Sequence, residues 1–153
     1  MAKPNGLERF QAATAHLDLE VSHMDQSTHT AAEAAAAVGA PVEAIVKSLL
    51  FMAEGEPVLV LASGPNRVNP DRLGEQLGRV LEQADARAVK AHTGWSIGGV
   101  PPFGHPQALE TLMDEDFFPL DTLWAAAGSA QSVFPITPQR LQELTAAAIV
   151  RVV

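Results

Sequence analysis

The 153-residue sequence has no cysteine. That excludes a disulfide framework, a thiolate metal site and a thiol nucleophile. No apolar run approaches the ~20 residues that a membrane-spanning helix needs. The opening stretch Met1-Ala2-Lys3-Pro4-Asn5-Gly6 lacks the apolar segment of a signal peptide, so a cytoplasmic location is the expectation. Basic residues are scarce: 10 Lys and Arg stand against 18 Asp and Glu, for a formal net charge of -8. A general nucleic-acid binder carries a basic footprint, so that class is disfavoured. A protein that grips only one end of a nucleic acid is not. Arg67, Arg72, Arg79, Arg87 and Lys90 fall in the middle third and can form a local positive patch, whereas Asp114-Glu115-Asp116 gathers negative charge. A mixed, solvated surface is the alternative.

The common catalytic motifs are also missing. There is no phosphate-binding Gly-x-x-x-x-Gly-Lys-Ser/Thr, no nucleophile elbow and no dinucleotide fingerprint. None of the histidines (His16, His23, His29, His92, His105) forms the His-Glu-x-x-His pair of zinc hydrolases. A metal site from His23 and His29 with an acidic residue competes with ordinary surface or core histidines. The expectation is no metal and no cofactor.

What is present is a foldable pattern. A hydrophobic fraction of 47% argues for a compact chain, and this length for one domain. Helices are expected at 5–18, capped by Asn5, and at 30–39, where Thr30 and Glu33 have capping-box spacing and Gly39 with Pro41 forms a stop. Two further helices follow at 69–78, opened by Asn69-Pro70, and at 86–92, capped by Asp85. The last is expected at 137–146, opened by Thr137-Pro138. Strands are expected at 19–24, 45–51, 57–62, 80–84, 109–114, 122–127, 132–136 and 149–153, with residues 42–50 ambiguous between strand and helix. The runs at 45–51 and 57–62 read as a hairpin around Ala53-Glu54-Gly55-Glu56. No repeat or second domain is evident. Strands and helices mix without regular alternation, so an α+β domain around a mixed sheet is favoured over a doubly wound fold.

Two features carry chemistry. Lys47 lies inside the apolar run Val42-Glu43-Ala44-Ile45-Val46-Lys47-Ser48-Leu49-Leu50-Phe51. A charge there is costly unless it is paired or reaches water. It is either an edge-strand lysine whose stem packs while its head is solvated, or a cation held rigidly at a cleft to meet a phosphate or a carbonyl oxygen. The loop Thr93-Gly94-Trp95-Ser96-Ile97-Gly98-Gly99-Val100-Pro101-Pro102-Phe103-Gly104-His105 is permissive at its glycines and rigid at its prolines. It is a plain turn, or a wall whose backbone N–H groups approach a ligand. His105, just beyond, either orients a substrate or water or is simply exposed. Gly128-Ser129 is a third candidate wall, or a hairpin turn.

In order along the chain, Thr30-Ala31-Ala32-Glu33-Ala34-Ala35, Ile45-Val46-Lys47-Ser48-Leu49, Val58-Leu59-Val60-Leu61-Ala62-Ser63-Gly64, Thr93-Gly94, Gly98-Gly99-Val100-Pro101-Pro102-Phe103-Gly104, Ala127-Gly128-Ser129 and Leu141 resemble the YbaK/EbsC family of aminoacyl-tRNA deacylases. That family is related to the editing domain inserted in bacterial prolyl-tRNA synthetases. The resemblance covers roughly residues 25–150. It implies a single α+β domain with a mixed, partly barrel-like sheet flanked by helices, and this chain departs from it by an added N-terminal helix at about 5–18. It also implies hydrolysis, in trans, of mischarged tRNA bearing a small amino acid. The family's signature lysine falls on Lys47 and its Gly-x-x-x-Pro loop on Gly98 through Pro102. On this reading Lys47, Gly98, Gly99 and Val100 are catalytic, while Ser48, Pro101, Pro102, His105, Gly128 and Ser129 bind substrate. The implied partner is the acceptor end of an aminoacyl-tRNA, possibly with a synthetase, for a monomer or homodimer. The turn Gly128-Ser129-Ala130-Gln131-Ser132 departs from the Gly-Lys-Arg-Gly type of some members, so their amino acid specificity is not carried over. The alternative function is a non-catalytic module that binds a tRNA end or aminoacyl ligand, possibly associated with a synthetase.

Overall fold

The computed structural model describes residues 5–153; the reading of the chain's opening as lacking an apolar leader lies largely outside them. Helix α1 (Gly6–Ala13) starts at Asn5, whose side chain accepts from the Glu8 N–H while Glu8 reaches back to the Asn5 N–H. It is shorter than the expected 5–18. The Thr14 hydroxyl donates to the Phe10 carbonyl at 2.8 Å, a short 3₁₀ turn follows at Ala15–Leu17, and Asp18 is left-handed with φ 56°. Hydroxyls that bond back to the preceding turn compete with helix propagation. β1 (Ser22–His23) is the residue of the strand expected at 19–24. α2 (Ala31–Val38) runs from the Thr30–Glu33 capping box to Gly39, which has the φ of 69° of a left-handed cap.

The ambiguous stretch after Pro41 divides into a 3₁₀ turn at Val42–Ala44 and then β2 (Ile45–Ala53). β2 and β3 (Glu56–Ser63) form an antiparallel hairpin from Ala53↔Glu56 to Val46↔Ser63. Its two turn residues, Glu54 and Gly55, both have positive φ, as a type I′ turn requires to match the strand twist. The chain continues through α3 (Pro70–Leu77), β4 (Leu81–Gln83), α4 (Ala86–Thr93), β5 (Glu110–Asp114), β6 (Leu123–Ala126), β7 (Ser132–Ile136), α5 (Pro138–Thr145) and β8 (Ala148–Val150). The strands form one sheet in the order β1-β7-β6-β2-β3-β5-β8, with β4 paired to β2 off this path. The β2–β6, β3–β5 and β5–β8 pairs are parallel, and the others antiparallel. This is the mixed-sheet α+β architecture expected.

The central strands are buried on both faces. Val46, Leu50, Leu59 and Leu61 join the larger core, whereas Phe51, Ala53, Val58, Val60 and Leu73 form a second core on the opposite face. Period-two alternation of side chains makes this division automatic. At the larger core's centre Phe10 is fully buried. It stacks on Phe134 at 5.3 Å between centroids and lies 5.9 Å from Phe103. α1 is thus part of the core rather than an appendage to it.

β2 has an unusual second edge. β6 pairs with it in parallel only at Ile45 and Val46, and β4 antiparallel only from Phe51 to Ala53. Among the described residues, 47–50 have no strand alongside them on that edge, and only the Leu50 carbonyl is used there, accepting from the Ala84 N–H at 3.0 Å.

Phe10→Ala removes a fully buried ring from the main core and should cost about 3–5 kcal/mol of unfolding free energy. Urea denaturation checks this, and a loss below about 1 kcal/mol would show that α1 does not hold the core together.

Candidate active site

Lys47 lies in this uncovered stretch of β2, opposite Ala62 of β3. Its ammonium is half-buried and donates to the Asn66 carbonyl at 2.5 Å. Burial pushes its pKa below the ordinary lysine value; Asp114 nearby opposes that shift and Arg67 adds to it. The Asn66 side chain donates to Asp114 Oδ2 at 2.8 Å and to Asp116 Oδ2 at 2.7 Å. Lys47 is therefore neither a solvated edge lysine nor one half of an ion pair. Its head is held by a loop carbonyl.

Beside it, Ser48 shares the register of Leu50. Alternate residues of a strand turn their backbone groups to the same edge, so the Ser48 amide and carbonyl face the gap. The Ser48 hydroxyl and that of Thr28 are buried and have no hydrogen-bond partner among the described residues. A buried hydroxyl without a partner costs free energy, and both residues line the cavity described below.

The glycine loop forms the opposite wall. α4 ends at Gly94, left-handed at φ 84°. The Thr93 hydroxyl donates to the Val89 carbonyl at 2.7 Å and accepts from the Trp95 N–H at 3.1 Å. Trp95 Nε1 donates to the Gly6 carbonyl at 2.9 Å, and Arg9 donates to the Gly94 carbonyl at 2.7 Å while lying over the Trp95 ring. The loop is thus tied down by α1. A turn then closes from the Ser96 carbonyl to the Gly99 N–H at 3.0 Å, with Gly98 at φ 90°. A positive φ at the third turn position calls for glycine. A Cβ on Gly98 would lie 2.0 Å from His29 Nδ1, so His29 packs directly on this bend. The Gly98 and Val100 N–H groups have no protein acceptor among the described residues, whereas that of Gly99 is taken by Ser96.

Between these walls lies a cavity of about 300 Å³. Lys47, Ser48, Gly98 and Val100 line it, with Ile45, Leu50, Val89, Trp124, Ala125 and Val133 supplying apolar surface. Of the residues singled out in the sequence, these four are brought together. Gly99 is one layer back, where a Cβ would meet the Ser129 backbone at 3.1 Å. Gly128 is pressed against Gly6 and Trp95, and the Ser129 hydroxyl is paired with Ser132 at 2.6 Å. Pro101 and Pro102 are buried. His105 Nε2 donates to the Pro101 carbonyl at 2.8 Å, and burial pushes the His105 pKa down. These six residues do not line the cavity; they support the loop that does. No group of three or more His, Asp or Glu side chains suited to a metal ion occurs among the described residues.

Sequence reasoning missed Thr28 and Trp124 and weighed His29 only as a metal ligand; all three line the cavity. The available signal was position: Thr28 and His29 immediately precede the Thr30 cap. Trp124 carried none, because only the β6 register beside Ile45 brings it there.

A single α+β domain with one held cation, free loop amides and unpartnered hydroxyls around an apolar cavity is equipped to bind a carbonyl-bearing, partly anionic ligand. The chain belongs to the aminoacyl-tRNA editing domain family, whose model matches residues 25–144. It is 31% identical over 127 residues to the uncharacterized protein YwhH of Bacillus subtilis, covering 82% of this chain and 81% of that protein. It is 42% identical over 77 residues to proline–tRNA ligase of Nitratidesulfovibrio vulgaris, covering 50% of this chain but only 13% of the ligase. Its structure is similar to that of a candidate trans-editing enzyme for prolyl tRNA synthetase, with a TM-score of 0.90, 40% identity and coverage of 99% and 98% of the two chains.

Gly98→Ala should leave the fold intact at a cost of roughly 1–2 kcal/mol, from the left-handed backbone alone. It should also displace His29, seen as a changed His29 ring signal in NMR spectra. Wild-type stability together with an unmoved ring would contradict the close approach.

Proposed function

We propose that the protein hydrolyses, in trans, the ester of a mischarged aminoacyl-tRNA that carries a small amino acid. The observation that carries this reading is that Lys47 and the Gly98 bend line one cavity at the gap in β2. Family membership and the resemblance to a candidate trans-editing enzyme point to the same chemistry. The substrate is gripped at its acceptor end, in the cytoplasm, and the whole chain, α1 included, works as one editing unit.

An aminoacyl ester is already activated, so placing a water and stabilising the developing oxyanion suffices. Lys47 neutralises the terminal phosphate or the ester region. The ester carbonyl sits against the Gly98 and Val100 amides, which no protein group occupies. The Gly99 amide, closing its turn with Ser96, serves instead to hold that bend in place. The substrate's adjacent ribose hydroxyl helps to activate water, so no protein nucleophile is required. The apolar wall of Val89, Val100, Ala125 and Val133 receives the amino acid side chain, and the Thr28 and Ser48 hydroxyls take its polar groups. A pocket of this kind excludes large side chains by volume but separates neighbours differing by one methylene only weakly.

A panel of mischarged tRNAs, including tRNA for proline because of the ligase relatives, tests the proposal. Wild type should deacylate substrates bearing small amino acids. Lys47→Ala should lower kcat/KM by at least about a hundredfold, the scale of one lost transition-state contact. Survival of every charged tRNA in the presence of wild type would instead leave a binding module, and equal rates for the two proteins would remove Lys47 from the mechanism.

The same lysine sets a pH limit. Its pKa is depressed, chiefly by burial, from the ordinary 10.5. The cation is present at low pH and lost as pH rises through the depressed value, so Lys47-dependent rate should fall at a lower pH than an exposed lysine would allow. A pH–rate profile corrected for spontaneous ester hydrolysis, with Lys47→Arg restoring the alkaline limb, checks this.

A further inference from the structure

The mechanism above makes no use of Asp114, a carboxylate only 1% exposed at the end of β5. Carboxylates are seldom buried so deeply without partners. Its partners are all N–H donors: Ser63 N–H at 2.9 Å and Asn66 Nδ2 at 2.8 Å on Oδ2, and Asp116 N–H at 2.9 Å on Oδ1. No cation forms a salt bridge with it among the described residues. Two of its donors belong to the segment that leaves β3, and that segment returns to Lys47. Asn66 uses its side chain on Asp114 and its backbone carbonyl on the Lys47 ammonium. The Ser63 hydroxyl donates to the Glu43 carbonyl at 2.6 Å, fastening the same segment to the turn that precedes β2.

We infer that Asp114, acting through Asn66, is a positioning residue for Lys47: it fixes the carbonyl that aims the ammonium and supplies the negative charge facing it. The requirement is physical. Lys47 has a long flexible stem, and a bare strand position would leave its head free to sample many rotamers. A single carbonyl anchored by a buried carboxylate selects one of them. The fixed negative charge also offsets part of the desolvation that opposes the cation, and Asp114 does act on Lys47 in that direction. The other charged groups in reach are Asp116, which shares Asn66, and Arg67, which works against the cation; His29 lines the cavity. Held in this way, Lys47 approaches a substrate phosphate or ester pre-aimed, so less order has to be imposed on binding.

The catalytic part of this inference rests on the deacylase reading; the part about Lys47 itself does not. The test therefore has two arms. In the first, the Lys47 side chain is titrated by heteronuclear NMR in wild type, Asp114→Asn and Asn66→Ala. The Lys47 midpoint should fall in Asp114→Asn, and in Asn66→Ala its side-chain signals should collapse toward those of a mobile lysine. In the second, deacylation is measured. Both variants should lose roughly tenfold to hundredfold in kcat, the scale expected for a small misplacement, with KM changed by less than about twofold. Leu73→Val, in the second core and outside the hydrogen bonds that join Lys47, Asn66 and Asp114, serves as a control that lowers stability alone. An unchanged Lys47 midpoint and mobility would overturn the inference, as would wild-type kcat in both variants or an equal kcat loss in Leu73→Val. If Asp114→Asn fails to fold, Asn66→Ala decides, because it keeps the carbonyl and removes only its anchor. If wild type deacylates nothing, the proposed reaction fails while the titration still decides the role of Asp114.

Discussion

Everything that distinguishes this molecule follows from one strand whose far edge is shared by two short partners that do not meet. A strand edge left open inside a fold exposes backbone donors and acceptors that must find water, a ligand or another strand. Here β6 covers the start of β2 and β4 its end. The interval between them becomes the floor of the cavity. The two strands that would otherwise have continued alongside supply its sides through Trp124 and Ala125 of β6, and through Gln83 and Ala84 at the end of β4. The hairpin with β3 holds the other edge over eight residue pairs, so the floor is rigid although it is open. An open edge is usually a liability for association. This one is short, recessed and faced by a loop.

The facing loop is not self-supporting, and the N-terminal helix explains how it keeps its shape. α1 precedes the segment matched by the editing-domain family. Yet Gly6, Arg9 and Phe10 contact Trp95, Gly94 and Phe103, residues that lead into and out of the Gly98 bend. Gly6 and Gly128 meet so closely that a Cβ on either would lie within 2.4 Å of the other's carbonyl oxygen. Gly128 is thus a packing requirement of the extension rather than a wall of the cavity. His105, the prolines and Ser129 belong to the same buttress. Backbone amides can serve as donors to a developing oxyanion only if their direction is fixed beforehand, and six residues of conspicuous composition are occupied in fixing it.

Local signals in the sequence were enough to place most elements. Capping boxes at Asn5 and Thr30, the Asn-Pro and Thr-Pro starts, and glycine stops are short-range chemistry that operates before tertiary structure forms. Where such signals failed, the reason was local competition or long-range pairing. The Thr14 hydroxyl ends α1 early, and β1 exists only where β7 is available to pair with it. The active-site candidates divide on the same line. Lys47 was legible because a charge in an apolar run violates the expected pattern, and Gly98 because a bend of glycine and proline is conspicuous. Asn66 was not, since it is unremarkable in its own neighbourhood, and Asp114 stood out only as one of three consecutive acidic residues. The bond between them spans 48 positions of the chain, and no local pattern encodes it.

That division has a consequence for how such a site varies. In the proposed reaction the chemistry is carried by groups almost any chain can supply: one lysine, two free amides and a water. What is hard to supply is their fixed relation; on the inference drawn above it comes from the buried Asp114 carboxylate on one side and from α1, outside the family's matched segment, on the other. The apolar wall between them has no such duty. Val89, Ala125 and Val133 take no part in the Lys47–Asn66 hydrogen bond or in the Ser96–Gly99 turn. In the proposed mechanism, substrate choice and catalytic geometry are therefore separable. On the proposed reading, volume-changing substitutions along that wall should alter which side chain fits, while the reacting ester stays in place.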